Sequence, residues 1–137
     1  MESFDLAALD IGAGAEAGFE LQLRHPASRE LLPMYITLRG QDSATWREVQ
    51  RELERRRMET AQRRGVPVVA ADIEDDTIEL LARTTLGWRG EFTLEGQVLE
   101  FSTARAVDVY RRFLWIREQV AAAGANRANF LPGSPNA

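Results

Sequence analysis

The feature that most constrains this chain is the apolar repeat between Thr103 and Gly124. Set on a helix at about 100° per residue, Ala106, Val107, Val109, Tyr110, Phe113, Leu114, Ile116 and Val120 fall on one half of the cylinder. Trp115 falls on the other half, so its indole is either covered by another part of the chain or offered to a partner as an interface anchor. Burying an aromatic of that size is worth roughly 1.5–3 kcal/mol, which gives either surface a reason to take it up. The same wheel sets Arg117 inside the apolar arc, where it needs a carboxylate or has to snorkel outward. A break near Leu114 changes both phases, and the pattern leaves open whether residues 103–124 form one helix or two.

Upstream, Phe19, Leu21 and Leu23 alternate with Glu20, Gln22 and Arg24, the period of a half-buried strand, and Met34, Ile36 and Leu38 resume it after the turn-forming stretch His25 to Glu30. This predicts an antiparallel hairpin with one apolar face. The lone histidine, His25, precedes a proline and has no companions of a catalytic or metal-ligand pattern nearby, so it reads as structural or exposed. Asp42 or Ser43 can cap a helix whose stripe is Trp46, Val49 and Leu53. Beyond Leu53 that helix is polar nearly all round. Its arginines, Arg55, Arg56 and Arg57 first, read mainly as a solvated face paired with Glu48, Glu52, Glu54 and Glu59, and secondarily as an arm for a protein partner.

A second helix is expected from Asp72, with an acidic first turn of Glu74, Asp75 and Asp76 that the helix dipole favours without any bound cation. Ile78, Leu81 and Thr85 form its buried face, and Gly87 can close it. Residues 92–94 and 98–101, around Glu95-Gly96, suggest a second short hairpin. The expected architecture is therefore α+β, an N-terminal antiparallel hairpin packed on about three helices. Its domain covers residues 19–124, with a flexible Gly/Ala-rich lead-in over 1–18 and a flexible tail over 125–137, where Phe130 and Leu131 are exposed.

All 17 basic residues of this 137-residue chain are arginine. Without lysine, neither a Schiff base nor the phosphate-cradling loop that ends in Gly-Lys-Ser/Thr can form. Without cysteine there is no disulfide, thiol nucleophile or cysteine metal site. A net charge of −4 argues against general nucleic-acid binding. No stretch approaches the ~20 apolar residues of a membrane span, and the first residues lack the pattern of a signal peptide, so a cytoplasmic protein is expected. No catalytic set assembles, and the expectation is a binding protein, not an enzyme, with no cofactor, metal or small-molecule substrate.

Three stretches together resemble the tail assembly chaperone family of long-tailed bacteriophages and prophages. The first is Leu23-Arg24-His25-Pro26 followed by Ile36-Thr37-Leu38-Arg39-Gly40-Gln41-Asp42-Ser43 and Trp46-Arg47. The second is Gly87-Trp88-Arg89-Gly90, Leu94-Glu95-Gly96 and Leu99-Glu100-Phe101-Ser102, and the third is Tyr110 leading to Trp115-Ile116-Arg117-Glu118-Gln119-Val120. Their order and spacing carry the resemblance. This chain departs from the family pattern in having Thr103-Ala104 where relatives often have Asn-Ala, and Leu114 where they often have proline.

The resemblance implies a non-catalytic protein of the host bacterial cytoplasm. It would coat the phage tape-measure protein, help recruit the tail-tube protein, and leave before the virion matures. Trp115, Ile116 and Val120, with Arg55, Arg56 and Arg57, are the residues expected to meet the partner, and a homo-oligomer is compatible with this. The rival expectations are a structural tail or connector subunit retained in the particle and, behind it, a small nucleic-acid-binding regulator built on the arginine arm.

Overall fold

The computed structural model describes residues 4–133 as an α+β protein. The ends of the expected lead-in and tail, residues 1–3 and 134–137, lie outside the described residues. In chain order, helix α1 (Ile11–Ala17) leads into strands β1 (Phe19–Arg24) and β2 (Leu31–Leu38), then helices α2 (Ala44–Arg64) and α3 (Ala70–Thr84). Strand β3 (Thr85–Gly90), the short hairpin β4 (Thr93–Leu94) and β5 (Gln97–Val98), and helices α4 (Thr103–Arg112) and α5 (Leu114–Ala125) complete it. A short 3-10 turn stands at each end, Leu6–Leu9 and Arg127–Phe130.

The predicted hairpin forms, with Leu21 opposite Ile36. It gains a third antiparallel strand, because Gly87 lies within β3 instead of closing the helix before it. In the register, Leu21, Ile36 and Trp88 stand side by side, while Gln22, Tyr35 and Arg89 form the next row on the opposite face, as the two-residue period requires. On that outer face the Arg89 guanidinium lies 3.9 Å over the Tyr35 ring and donates two hydrogen bonds to Glu20, at 2.7 and 3.0 Å. The inner face is covered by helices. Ile36 and Leu38 share one buried cluster with Trp46, Ile78, Leu81, Val109, Tyr110, Ile116 and Val120.

Helix α2 begins where Ser43 accepts a hydrogen bond from the Trp46 N–H at 3.0 Å. It ends at Gly65, whose φ of 66° closes the last turn in the left-handed region. Helix α3 starts at Ala70, two residues before the expected cap. Asp72 instead reaches back from the first turn to accept from the Val69 N–H at 3.3 Å. The buried hydroxyls between α3, β3 and α4 form a directed chain. Thr85 donates to the Leu81 carbonyl at 2.8 Å, which leaves its oxygen to accept from Tyr110 at 2.7 Å.

Burial pushes the Tyr110 hydroxyl up to about 12, against the pull of its hydrogen bond to Thr85. The unfolded chain ionises this tyrosine near about pH 10, before the folded chain does. Its contribution to stability is therefore full below about pH 10 and lost as pH rises through about 12. Urea melts of wild type should weaken across that window, and Tyr110→Phe should flatten the slope while costing about 0.5–1.5 kcal/mol at neutral pH. An unchanged alkaline slope in the variant would contradict the assignment.

Two segments expected to be loose are packed. Helix α1 carries Ala15 into the core, and Asp10 caps it by accepting from the Gly12 N–H. At the other end Phe130 is buried and meets Phe19 edge to face at 6.0 Å, while Arg127 holds Asp42 through bonds of 2.7 and 3.2 Å. The packed body thus extends from α1 to Phe130, beyond the expected limits of residues 19–124. No described helix is long and apolar enough to cross a membrane.

Candidate functional site

The apolar repeat over 103–124 resolves into two helices. The chain breaks at Phe113, with φ −108° and ψ 84°, so that Phe113 ends α4 and begins α5. On one continuous helix Trp115 would point away from the apolar stripe. The break re-phases α5: Trp115 becomes half-buried and Leu114 is left half-exposed. Covering the larger indole is worth roughly 1.5–3 kcal/mol when complete, enough to offset a backbone hydrogen bond lost at the break, about 1 kcal/mol. The break lies at Phe113, one residue before Leu114.

Trp115 now stands at the wall of an open apolar groove of about 390 Å³. His25 and Pro26 of the β1–β2 turn form one lip, with Leu32 and Met34 of β2 below them. Thr93, Leu94 and Leu99 of the second hairpin form the other side, and Val109, Phe113, Trp115 and Ile116 line the α4–α5 junction. Each wall is fixed locally. The His25 Nδ1 accepts from the backbone N–H groups of Ala27 and Ser28 at 3.1 and 3.2 Å, which shapes the turn. Gln119 clasps the end of β1 by accepting from the Arg24 N–H and donating to its carbonyl, both at 2.9 Å. Trp88 stacks on Phe92 at 4.7 Å and donates to the Leu99 carbonyl at 2.9 Å, tying the second hairpin to the sheet.

The residues expected to meet a partner separate here. Trp115 reaches the groove surface. Ile116 and Val120 are 3% and 1% exposed, so they are core residues and offer a partner at most an edge of Ile116; their apolar spacing reflected packing. Arg56 and Arg57 are also committed. Arg57 pairs with Asp76 at 2.7 Å, and Arg56 pairs with Glu79 at 2.8 Å and with Asp76 at 3.7 Å. Arg55 is exposed and has no carboxylate within ion-pair distance among the described residues.

The arginine arm is thus a helix docked on α3, and its pairs run between helices instead of along α2. Glu52, the one expected carboxylate that pairs among the described residues, holds Arg83 of α3 at 2.9 Å. The acidic face of α3 also serves the other side: Asp75 meets Arg111 at 3.2 Å and Glu74 meets Arg117 at 3.5 Å. Arg117 has the carboxylate its place in the apolar arc required. The α3 carboxylates Glu74, Asp75, Asp76 and Glu79 are spent on Arg117, Arg111, Arg57, Arg56 and Arg83, and no group of acidic or histidine side chains among the described residues is placed to hold a metal ion. A second cleft, of about 190 Å³ beside the α2–α3 turn, has a mixed lining: Ala61, Val66, Pro67 and Val68 stand beside Arg56, Arg57, Arg64, Asp72, Asp75 and Asp76.

Hydrogen bonds from Arg56 hold Glu79 below the usual carboxylate range, and those from Arg83 do the same for Glu52. Because the folded-state values are depressed, this stabilisation is present above the unfolded carboxylate value, about 4.3, and is lost as pH falls below it. Thermal melts should therefore show a falling midpoint from about pH 5 downward. Glu79→Gln should reduce that slope, and an identical acid profile in the variant would contradict the network.

Leu32, Met34, Leu94, Leu99 and Phe113 were not foreseen as site residues. Read singly they are ordinary core positions, and only the tertiary arrangement brings them around one opening. Compared with known proteins, the chain matches no family model, no curated protein and no solved structure.

Proposed function

We propose that this chain is a non-catalytic binding protein, a phage tail assembly chaperone that holds an apolar stripe of the tape-measure protein in the groove beside Trp115 and helps bring tail-tube subunits to it. The observation that carries this reading is the groove itself. All three stretches on which the family resemblance rests contribute to its walls: His25 and Pro26 from the first, Leu94 and Leu99 from the second, Trp115 and Ile116 from the third. An open apolar trough with a half-buried indole suits the exposed stripe of an amphipathic helix, which binds through spaced apolar anchors. Arg56 and Arg57 of α2 are spent on carboxylates of α3, and the chain carries a net charge of −4, which together favour binding through this trough over charge-driven contact with nucleic acid.

The reading makes the protein a transient occupant of the assembling tail in the host cytoplasm. Mass spectrometry of purified virions tests this: a chaperone is absent from mature particles although abundant in the infected cell. Stoichiometric retention in the particle would replace the reading with that of a structural tail or connector subunit.

A further inference from the structure

The groove is matched by an apolar segment that has nothing to cover it. Ahead of α1, Phe4 and Leu6 are 87% and 81% exposed, and Leu9 is also exposed. Leu6 and Leu9 lie three apart on a 3-10 turn, so they share a face, and Phe4 directly precedes it. Scattered apolar residues on a surface are ordinary, but three within six positions form a sticky edge.

Charge adds a direction. The segment carries Asp5 and no basic residue, and Asp10, the cap of α1, follows it directly. Arg24 and Arg29, which flank the His25-Pro26 lip of the groove, have no carboxylate within ion-pair distance among the described residues. The opposite side, residues 91–100, carries Glu91, Glu95 and Glu100 and no arginine. An acidic apolar segment entering the trough is therefore drawn to the turn side and repelled from the hairpin side.

The segment's own groove is remote. Helix α1 packs against α2 and the 127–130 turn, at the Phe19–Leu38 end of the sheet. The groove opens at the other end, beside the β1–β2 turn, and the five residue steps of β1 between them span about 17 Å.

We propose that the groove of one copy receives the Phe4–Leu9 segment of a second copy, so that the free protein self-associates through its partner-binding site. The contact joins different surfaces, so it either closes as a reciprocal pair or runs on head to tail. A partner helix entering the groove displaces the segment, and self-association competes with partner binding. This inference does not depend on what the partner is.

Sedimentation velocity of the full chain over a range of concentrations tests it, without any partner present. Wild type is expected to gain mass with concentration. The Phe4→Ser/Leu6→Ser double variant, altered only at exposed positions, is expected to stay monomeric with an unchanged melting midpoint. A synthetic peptide of residues 1–10 is expected to return wild type to monomer, and Trp115→Ala to weaken association by about tenfold or more. Wild type that stays monomeric throughout would overturn the proposal, as would association that survives in the double variant or is indifferent to Trp115→Ala. Loss of self-association alone would leave the tape-measure reading standing.

Discussion

Phe130→Ala should cost about 3–5 kcal/mol, the range for removing a fully buried aromatic ring. The ring is 1% exposed and lies against Gly40, where a Cβ would come within 2.8 Å of it. It also meets Phe19 of β1 edge to face. A Cβ at Gly14 of α1 would collide with the Phe130 carbonyl oxygen, so the helix and the C-terminal turn are in backbone contact. The Gly40 N–H in turn donates to the Ala15 carbonyl at 3.0 Å. The ring thus packs on β1 and on Gly40 after β2, while the Phe130 backbone lies against α1. Against a total stability of about 5–15 kcal/mol for a domain, its loss is severe. Urea denaturation should show a lower midpoint, and limited proteolysis should cut the variant first around α1. A cost below about 1 kcal/mol would mean that the C-terminal turn is not part of the cooperative unit.

Trp115→Ala should act mainly on binding. An aromatic anchor at the centre of an interface is worth about 2 kcal/mol or more on truncation, roughly thirtyfold in affinity. The half-buried position of the indole adds a stability cost of about 1–2 kcal/mol, because part of the ring already covers the core. Calorimetric titration against a peptide from the apolar stripe of the tape-measure protein, alongside a thermal melt, separates the two effects. A stability loss above about 3 kcal/mol with affinity unchanged would make Trp115 a core residue and nothing else.

The parts of this fold that were readable from the sequence are those whose local pattern and tertiary role agree. The hairpin was visible because Phe19-Leu21-Leu23 and Met34-Ile36-Leu38 alternate in step with the sheet. Helix α2 was visible because Ser43 caps it and Trp46, Val49 and Leu53 are spaced to be buried. Strand β3 was not, since Thr85-Leu86-Gly87-Trp88-Arg89-Gly90 has two glycines and no alternation; β2 recruits it. Helix α1 was hidden for a related reason. Its Gly/Ala run has weak intrinsic preference, and its small side chains are useful because they admit the backbone of residue 130.

The site was legible only at Trp115. The wheel marked it as anomalous, but the break at Phe113 decides which way the ring points, and nothing in Arg112-Phe113-Leu114 announces that break. Ile116 and Val120 were drawn into the site by proximity in sequence, although their period placed them in the core. The arginines of α2 were assigned partners one turn away on the same helix. The carboxylates of α3 hold two of them instead, and that pairing follows from helix packing, which periodicity does not encode.

The central claim is that the groove beside Trp115 holds the tape-measure protein. Its most direct test is co-expression of the tagged chain with a tape-measure protein, taken from the neighbouring genes where they encode one, for wild type and Trp115→Ala. The account predicts that wild type co-purifies with the long partner and keeps it soluble, and that the variant, though folded, loses it. A partner that stays insoluble beside a folded, monodisperse wild-type chain would contradict the account.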